Sequence, residues 1–269
     1  MIPNVLSIAG TDPTGGAGIQ ADLKTIAALG GYGMSVVTAL VAQNTQGVRA
    51  VLEVPPDFVS AQIHAVFDDV RVDAVKIGML ANAEIIAAVT EALDHYQPPY
   101  VVLDPVMVAA SGDRLLAAEA VAALRDELFS RADLVTPNIP EAADLLGEAE
   151  AVDAITMRQQ AEKLHSLGPH VLLKGGHLST PDSTDVLATN GAVHELSVPR
   201  VRTENTHGTG CTLSSAIAAL RPNQLDWVTT VSDAKAYLTG ALLAADELDV
   251  GHGHGPVHHS FATFGRGPE

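Results

Sequence analysis

Short apolar stretches alternate with longer stretches whose apolar positions recur every three to four residues along most of the chain. The short stretches predict β-strands, and the longer periodic ones predict amphipathic helices. The predicted strands cover residues 5–9, 34–42, 50–54, 74–77, 100–103, 134–136, 171–174, 185–189 and 193–197. The predicted helices cover residues 17–29, 56–69, 83–95, 117–130, 139–146, 157–167, 210–219 and 227–248. This alternation is typical of βαβ units in a parallel sheet that helices cover on both faces.

The alternation is interrupted near the C-terminus, where only Asn190, Gly191 and Ala192 separate the last two predicted strands. So short a Gly-containing connection predicts a hairpin, which adds antiparallel strands to the sheet. The chain shows no internal repeat and no low-complexity linker, so residues 1–269 are predicted to form a single domain. The Gly/His-rich residues 251–269 are predicted to be a loop-rich tail. No Cys or carboxylate is spaced with the four histidines of this tail to complete a metal site.

Composition and charge restrict the class of partner. Hydrophobic residues make up 47% of the 269 residues and aromatic residues only 4%, so the core is predicted to consist of aliphatic side chains. The formal net charge of -17 repels phosphate backbones and anionic lipids, which opposes a nucleic acid or membrane partner. A site for nucleotide phosphates on so acidic a protein needs local donors, such as helix N-termini, backbone amides, a few cations and Mg²⁺.

Cysteine content and the N-terminus predict a cytoplasmic location. The single cysteine, Cys211, excludes an internal disulfide framework and suits a reducing compartment. The first ten residues contain no basic segment and are interpreted as a first strand instead of a signal peptide. No apolar run reaches the roughly 18 to 20 residues that a membrane-spanning helix needs.

The unusual residues of the chain cluster after predicted strands. In an open parallel sheet, ligands bind at the carboxyl ends of the strands, so the loops at those ends are expected to line one crevice. These loops are predicted at residues 11–18, 43–47, 78–80, 104–106, 137–141 and 175–177.

The segment NTHGTGCTLSSA at residues 205–216 has a turn of small residues that continues directly into an apolar helix. Glycines allow a ligand to approach the backbone, and the N–H groups of a first helical turn have no helical partners. Gly208, Thr209, Gly210 and Cys211 are therefore predicted to bind the charge that develops on a transferring phosphoryl group. The helix dipole is expected to lower the pKa of Cys211 and favour its thiolate. The alternative is a Gly-rich helix cap with a buried, inert cysteine.

The first loop, GTDPTGGAG at residues 10–18, joins a strand to a helix. It is not a Walker A loop, because Gly16 and Ala17 stand where that motif has Lys and Ser or Thr. It is not a dinucleotide fingerprint either, because G-x-G-x-x-G fails in every register. A plain tight turn remains the alternative interpretation of this loop.

Four further residues suit a phosphate and magnesium site. Asp104 and Glu141 supply the hard oxygen ligands that Mg²⁺ prefers, directly or through water. Lys174, followed by two glycines, can reach a phosphate. The structural alternatives are equally open at this point, because Asn138 and Glu141 also favour any helix N-terminus and Lys174 also suits a solvated strand end.

Taken together, these motifs resemble the ribokinase-like superfamily, and specifically its hydroxymethylpyrimidine kinase branch. The resemblance runs in order along nearly the whole chain. The matching segments are SIAGTDPTGGAGIQAD (7–22), TALVAQNT (38–45), VKIGML (75–80), DPVM (104–107), TPN with Glu141 (136–141), KGGH (174–177), HGTGCT (207–212) and GHGPVHH (253–259). Residues 183–185 and 261–269 depart from the family pattern, and they are expected to lie away from the chemistry.

The resemblance implies a three-layer α/β/α sandwich, a homodimer, and ATP- and Mg²⁺-dependent phosphorylation of a hydroxymethylpyrimidine and then of its monophosphate. Residue by residue, it implies that residues 208–211 form an anion hole in which Cys211 occupies the base position, where many sugar kinases have Asp. Gln43 corresponds to the residue that recognises the pyrimidine. The remaining correspondences are the substrate wall (Gly10, Met79, Val106), the magnesium and phosphate region (Asp104, Asn138, Glu141) and a phosphate-binding lysine (Lys174).

Four other functions stay open on the sequence. The nearest is a pyridoxal or pyridoxine kinase of the same superfamily, which Gln43 and Met79 disfavour without excluding it. The failed dinucleotide fingerprint disfavours a dehydrogenase. A cysteine hydrolase that pairs Cys211 with His207 would lack an evident third orienting residue. A non-catalytic pyrimidine-binding relative is the fourth, and the presence of Cys211, Lys174 and Glu141 opposes it.

Overall fold

The computed structural model describes residues 1–107 and 116–263. Its strands are β1 (Asn4–Gly10), β2 (Tyr32–Asn44), β3 (Gly47–Glu53), β4 (Ala74–Ile77), β5 (Val101–Leu103), β6 (Leu134–Val135), β7 (His170–Leu173), β8 (Asp182–Thr189) and β9 (Ala192–Pro199). Its α-helices are α1 (Gly18–Ala28), α2 (Pro56–Phe67), α3 (Ala83–Tyr96), α4 (Ala118–Ala123), α5 (Ile139–Leu146), α6 (Ala154–His165), α7 (Thr209–Leu220) and α8 (Trp227–Leu243). The predicted alternation of strands and helices is confirmed.

The strands form one nine-stranded sheet in the order β3-β2-β1-β4-β5-β6-β7-β8-β9. Six neighbouring strands at the centre of the sheet are parallel: β2, β1, β4, β5, β6 and β7. Strand β3 at one edge and the β8–β9 hairpin at the other edge add antiparallel pairings. The carboxyl ends of the six parallel strands therefore lie along one edge of the sheet, as the crevice prediction requires. One sheet that includes β1 and β9 is consistent with a single domain, which stays a prediction.

Alternate residues of the central strands pack into two separate cores, one on each face of the sheet. Leu6 and Ile77 belong to the core that α2, α3, α5 and α6 cover. Val5 and Val102 belong to the core beneath α7 and α8. Because both faces of the sheet are buried by helices, the architecture is a three-layer α/β/α sandwich, and the predicted fold class is confirmed.

The second predicted loop is shorter than expected. Residues 43–47 were predicted to connect two strands, but Gln43 and Asn44 belong to β2, and β3 begins at Gly47. Gln43 pairs with Val48 after an irregularity in the register, and only Thr45 and Gln46 connect the strands. The physical reason is cross-strand pairing between β2 and β3, which extends both strands beyond their apolar runs.

Three predicted helices differ from the structure by more than two residues at one end or are divided. Residues 117–130 divide into α4, a π-helical turn (Leu124–Leu128) and a 3₁₀ turn (Phe129–Arg131). Helix α6 begins at Ala154 instead of residue 157, because Asp153 and Thr156 form a reciprocal capping box. Helix α8 ends at Leu243 instead of residue 248, and a 3₁₀ turn (Ala245–Glu247) follows it. Residue 246 of that turn accepts hydrogen bonds from the side chains of residues 203 and 205.

The C-terminal segment contains no helix or strand over residues 251–263, and residues 264–269 lie outside the described part, so the loop-rich tail stays a prediction. The segment is nevertheless packed against the protein. Both His258 and His259 are buried, and the Tyr237 hydroxyl donates a hydrogen bond to the His259 carbonyl oxygen. Among the helices of the described ranges, none combines the length and the apolar character that crossing a bilayer requires.

Candidate active site

The glycine turn before α7 has the geometry expected of an anion-binding turn. Gly208 is the N-cap residue, with a left-handed φ of +82°. A methyl group at Gly208 would collide with the Gly16 carbonyl oxygen in the first loop, so both the conformation and the space require glycine. Thr209, Gly210 and Cys211 form the first turn of α7. The two glycine loops of the sequence are therefore packed directly against each other.

A buried carboxylate connects these two loops. Asp12 Oδ2 accepts hydrogen bonds from the backbone N–H groups of Gly16 and Ala17, at 3.1 and 2.8 Å, and lies 2.8 Å from His207 Nε2. Burial opposes ionisation of Asp12, but the hydrogen bonds from His207, Thr14 and Ala17 outweigh it and hold the pKa of Asp12 well below its usual range. The first loop is thus an anchored turn that supports residues 207 and 208.

Cys211 lies partly exposed in the first turn of α7, but the expected thiolate is not found. Burial raises the pKa of the Cys211 thiol to about 11; the Lys76 charge acts in the opposite direction, and the Asp22 and Asp104 charges act in the same direction. The prediction of a lowered pKa was therefore wrong. The helix N-terminus is outweighed by desolvation and by two neighbouring carboxylates that the sequence does not place near residue 211.

Lys174, directly after β7, meets Asp104, directly after β5. Lys174 Nζ lies 2.8 Å from Asp104 Oδ1, and Asp104 also accepts a hydrogen bond from the Thr136 hydroxyl. A methyl group at Gly210 would lie 3.4 Å from Lys174 Nζ and 3.5 Å from Asp104 Oδ2. The structure therefore places the glycine turn beside the predicted phosphate-binding lysine and the predicted magnesium ligand.

Asn138 and Glu141 form a capping box at the start of α5. The Asn138 side chain accepts from the Glu141 N–H at 2.9 Å, and Glu141 Oε2 accepts from the Asn138 N–H at 2.7 Å. The same Glu141 oxygen lies 3.9 Å from Lys174 Nζ. Burial raises the pKa of Glu141 to about 7; Lys174 acts against this change, and Asp104 adds to it. The structural and functional interpretations of these residues are thus compatible.

Asp185 lies closer to the site than its departure from the family pattern suggested. Residues 182–184 belong to β8, and Asp185 Oδ1 accepts from the Gly175 N–H at 2.9 Å. Asp185 Oδ2 lies 2.5 Å from the buried Lys235 Nζ of α8. The expectation that residues 183–185 lie away from the chemistry was therefore wrong, because antiparallel pairing of β8 with β7 brings them beside the turn that follows Lys174.

Two of the predicted substrate-wall residues are in contact across neighbouring strands. A methyl group at Gly10 would lie 3.3 Å from Met79 Sδ and 3.7 Å from Val41 Cγ2. The Thr38 hydroxyl donates to the Met79 carbonyl oxygen and fixes the loop after β4. Val106 follows β5, and its N–H donates to the Asp104 carbonyl oxygen. Gly10 is the last residue of β1, and Met79 and Val106 follow β4 and β5, so all three lie at the same edge of the sheet.

Gln43 lies near the tip of the β2–β3 hairpin. Within the described residues its side-chain amide has no protein hydrogen-bond partner, which leaves it available to a ligand. Thr45, two residues after Gln43, binds the tail. Its carbonyl oxygen accepts from the His254 N–H, and its hydroxyl accepts from the Gly253 N–H. The tail returns to the glycine turn, because the His207 N–H donates to the Gly255 carbonyl oxygen. Gln43 is therefore connected to the turn through the tail, without direct contact.

Three charged residues near the site had no predicted role: Asp12, Asp22 and Lys76. Asp22 and Lys76 form a fully buried ion pair with both side chains at 0% exposure. A usable signal was present in the sequence, because a lysine inside the apolar strand β4 and an aspartate on the apolar face of α1, between Ile19 and Ile26, both contradict burial preferences. Such residues require partners, but the sequence does not show which.

The geometry also bears on the hydrolase alternative. The His207 imidazole directs Nε2 to Asp12, and the described residues contain no hydrogen bond between His207 and Cys211. The nucleophile–base contact that a cysteine hydrolase requires is thus missing from this part of the chain.

Comparison with known proteins agrees with the site. The profile of the phosphomethylpyrimidine kinase family matches residues 12–258. The hydroxymethylpyrimidine/phosphomethylpyrimidine kinase of Escherichia coli is 56% identical over 97% of this chain and 98% of its own length. The enzyme of the same name from Rhizobium meliloti is 54% identical over 94% of this chain and 96% of its own length.

Solved structures show the same fold. Phosphomethylpyrimidine kinase from Clostridium difficile aligns with a TM-score of 0.79 and 42% identity over 89% of this chain and 99% of its own. Pyridoxal kinase from Bacillus subtilis, solved as an ADP complex, aligns with a TM-score of 0.91 and 34% identity over 98% of this chain and 100% of its own. With its ribokinase-like fold and its glycine turn beside Lys174, the chain belongs to the phosphomethylpyrimidine kinase family.

Proposed function

We propose that this protein uses ATP to phosphorylate 4-amino-5-hydroxymethyl-2-methylpyrimidine and then its monophosphate, giving the diphosphate used in thiamine biosynthesis. The observation that supports this most directly is the position of Gly210, whose added methyl group would lie 3.4 Å from Lys174 Nζ. A backbone anion turn and a lysine side by side suit a transferring phosphoryl group. The names of relatives that are 54% and 56% identical support the choice of substrate.

The pyrimidine is proposed to lie against Gly10, Met79 and Val106, with the free amide of Gln43 pairing with the aminopyrimidine edge. A side-chain amide can donate and accept in one plane, as Asn and Gln do toward adenine. A methyl group added at Gly10 would lie 3.3 Å from Met79 Sδ. A side chain at residue 10 would therefore fill the space that a flat pyrimidine ring needs.

The phosphates of ATP are proposed to bind beside Lys174, Asn138 and Glu141. Lys174 is one cation between two carboxylates, with Asp104 at 2.8 Å and Glu141 at 3.9 Å. Two carboxylates and one lysine leave an excess of negative charge, so the donor set of Asp104 and Glu141 fits Mg²⁺ held directly or through water. When bound with ATP, Mg²⁺ neutralises charge on the phosphates and orients them for in-line attack.

In the first transfer, the hydroxymethyl oxygen attacks the γ-phosphorus, the bond to the ADP oxygen breaks, and the hydroxyl proton leaves. The N–H groups of the turn at residues 208–211 stabilise the charge on the transferring group. We propose Cys211 as the proton acceptor. Because burial raises the pKa of Cys211 to about 11, the thiol is the main form near neutral pH and the thiolate that accepts the proton is a minor form.

The second transfer differs in its proton requirement. A phosphomonoester has its second pKa near 6, so its attacking oxygen is already mostly anionic at about pH 7. No base is needed for that oxygen. The two transfers therefore provide an internal control for the role of Cys211.

Single-turnover rates of both transfers measured from pH 6.5 to 9 test this role. The first rate is expected to rise by about tenfold per pH unit, because the thiolate fraction rises by that factor below the pKa, whereas the second is expected to change little. Cys211→Ala is expected to slow the first transfer much more than the second, and Cys211→Ser is the matched control for size. Equal losses in both rates, or a first rate that does not change with pH, would exclude Cys211 as the base.

The substrate assignment is tested by incubating the protein with Mg²⁺-ATP and, in parallel, the hydroxymethylpyrimidine, its monophosphate and pyridoxal, and resolving the products by mass. Pyrimidine monophosphate and diphosphate are the expected products. Pyridoxal phosphate alone would replace the substrate with vitamin B6, an alternative favoured by the structural similarity to the Bacillus subtilis pyridoxal kinase. Binding of a pyrimidine without any phosphorylation would indicate a non-catalytic relative.

A homodimer and a cytoplasmic location are part of the same proposal. For the dimer, Leu40 and Leu52 pair across the β2–β3 hairpin, are 50% and 66% exposed, and offer an apolar face to a second copy. Light scattering at micromolar concentration should give a dimer, and Leu52→Asp should shift it toward monomer; an unchanged mass for that variant would exclude this face. ATP as substrate and the single cysteine support the cytoplasmic location.

A further inference from the structure

The ion pair between Lys76 and Asp22 lies in a cluster of four buried side chains from four different elements. Lys76 Nζ on β4 lies 2.9 Å from each carboxylate oxygen of Asp22 on α1. Ser7 of β1 donates to Asp22 Oδ2 at 2.6 Å, and Ser215 of α7 donates to Asp22 Oδ1 at 2.7 Å. All four side chains are fully buried. Each Asp22 oxygen is therefore satisfied by one hydroxyl and the ammonium group.

This cluster adjoins the loops of the active site. Ser215 lies one helical turn after Cys211 on α7, so the Ser215–Asp22 hydrogen bond restrains the segment that presents Cys211. Gly78, which precedes the wall residue Met79, is so close that a methyl group there would lie 2.9 Å from Lys76 Nζ. The ion pair therefore contacts both the helix that carries the glycine turn and the loop that forms the pyrimidine wall.

The charges of the cluster act on Cys211. Burial disfavours the charged form of Lys76, but Asp22 outweighs it, and the pKa of Lys76 is raised. The groups that interact electrostatically with Cys211 are Lys76, Asp22, Asp104 and Lys174. Of these, Lys76 and Lys174 favour the thiolate, while Asp22 and Asp104 oppose it. Asp104 and Lys174 belong to the proposed phosphate site, whereas Lys76 and Asp22 form a separate pair that is fully buried.

We propose that Lys76, held by Asp22 and Ser215, is a positioning residue that sets the charge beneath Cys211 and fixes the glycine turn on the sheet. The catalytic meaning of this inference depends on the proposed function, but the effect on Cys211 does not. A buried ion pair is often replaceable by apolar residues without loss of stability, so stability alone gives little reason for it here. An electrostatic role predicts effects of opposite sign when either partner is neutralised. A purely structural role does not.

The test uses the intact protein and the reactivity of its single cysteine, so no other thiol contributes. Alkylation by iodoacetamide is followed by mass as a function of pH in the wild type, Asp22→Asn, Lys76→Met and the double variant Asp22→Asn/Lys76→Met. The midpoint of the rate profile is expected to fall by about one pH unit in Asp22→Asn and to rise by about one unit in Lys76→Met. The double variant is expected to lie between the two single variants.

Lys235→Met is the matched control, because Lys235 is a second buried lysine paired with an aspartate, in α8. Its alkylation profile is expected to match the wild type, with circular dichroism confirming the fold of every variant. Shifts of the same direction in Asp22→Asn and Lys76→Met, or no shift in either, would overturn the proposal. If Lys76→Met does not fold, the other two variants test the proposal. The midpoint of the alkylation profile must then fall below the wild-type value in Asp22→Asn, and the midpoint of the double variant must be higher than that of Asp22→Asn.

The kinase assay separates this proposal from the proposed function. In an active enzyme, the pH dependence of the first transfer should move in the same direction as the alkylation profile in each variant. A protein that phosphorylates nothing but shows the opposite alkylation shifts would refute the proposed function and retain the role of Lys76. Normal kinase activity with alkylation profiles that do not move would refute only the role of Lys76.

Discussion

Lys76 and Lys174 both bind an aspartate near the crevice, but their surroundings differ. The side chains of Lys76 and Asp22 are both at 0% exposure, and one cation meets one carboxylate. The Lys174 side chain is 15% exposed, and it meets Asp104 at 2.8 Å and a second carboxylate, Glu141, at 3.9 Å. The first pair is closed and balanced in charge, whereas the second cluster is open and has one carboxylate in excess.

This difference shows how one type of ion pair can serve two purposes. The polar atoms of a closed pair are occupied by each other, so the pair cannot bind a ligand. Its contribution lies in holding neighbouring elements together and in the electrostatic potential that it produces. An open cluster with excess negative charge at strand ends can accept a cation and phosphate groups. Burial and charge balance, more than residue type, therefore distinguish the proposed positioning residue Lys76 from the proposed phosphate-binding residue Lys174. Four predictions test this distinction.

Lys76→Met is expected to have the largest effect. Removing one partner of a fully buried pair leaves the other charge uncompensated, which should lower the free energy of unfolding by about 3–5 kcal/mol. Urea denaturation measures the loss. Adding Asp22→Asn should restore part of it, because the uncompensated carboxylate is then removed. A loss below about 1 kcal/mol would mean that the pair behaves like a surface ion pair. The distinction between a closed and an open cluster would then be wrong.

Lys174→Met is expected to act mainly on catalysis. Loss of a positioned cation beside the transferring phosphoryl group should lower kcat/KM for ATP by about 10²–10³-fold. The loss of unfolding free energy should be smaller than in Lys76→Met, because Asp104 keeps its hydrogen bond from the Thr136 hydroxyl and the Lys174 side chain is 15% exposed instead of fully buried. Steady-state kinetics and urea denaturation of the same preparations provide both values. An unchanged kcat/KM would remove Lys174 from the phosphate site.

Two adjacent serines of α7 allow a matched comparison of the clusters. The Ser215 hydroxyl donates to Asp22 at 2.7 Å, whereas the Ser214 hydroxyl lies 3.4 Å from Asp104 and also donates to the Gly210 carbonyl oxygen. Ser215→Ala should therefore cost about 1.5–3 kcal/mol of unfolding free energy, and Ser214→Ala less than about 1 kcal/mol. Thermal or urea unfolding of both variants checks the order. Equal losses of unfolding free energy would show that the two hydroxyl–carboxylate hydrogen bonds contribute equally, which would contradict the distinction between the clusters.

Glu141→Gln should change the pH dependence of stability. Because burial raises the pKa of Glu141 from 4.5 to about 7, its protonated form is favoured in the folded protein. Its contribution to stability is therefore fully present below about pH 4.5 and is lost as the pH rises through about 7. Without Mg²⁺, the wild type should lose about 2–3 kcal/mol more than Glu141→Gln over that interval. Parallel curves for the two proteins would exclude a raised pKa.

The order of the elements and the location of the crevice were predictable from the sequence. Apolar periodicity distinguishes strands from helices locally, and the strand-end rule then places Asp104, Asn138 and Lys174 at one edge of the sheet. The structure confirms this location. Boundaries were less predictable where a cap or a strand partner sets them, as at Asp153 and in the β2–β3 hairpin.

The amino-acid sequence by itself determined the candidate residues for the chemistry: a glycine turn, one cysteine, and a lysine and carboxylates after apolar strands. Only the tertiary structure decided how those groups ionise and which partners they have. Asp12 meets His207 across 195 positions of the chain, and Asp22 meets Ser215 across 193. Electrostatic energy depends on distance in space and on burial, and neither is encoded in local spacing. For that reason the sequence predicts a lowered pKa for Cys211, whereas burial and the neighbouring carboxylates raise that pKa in the fold.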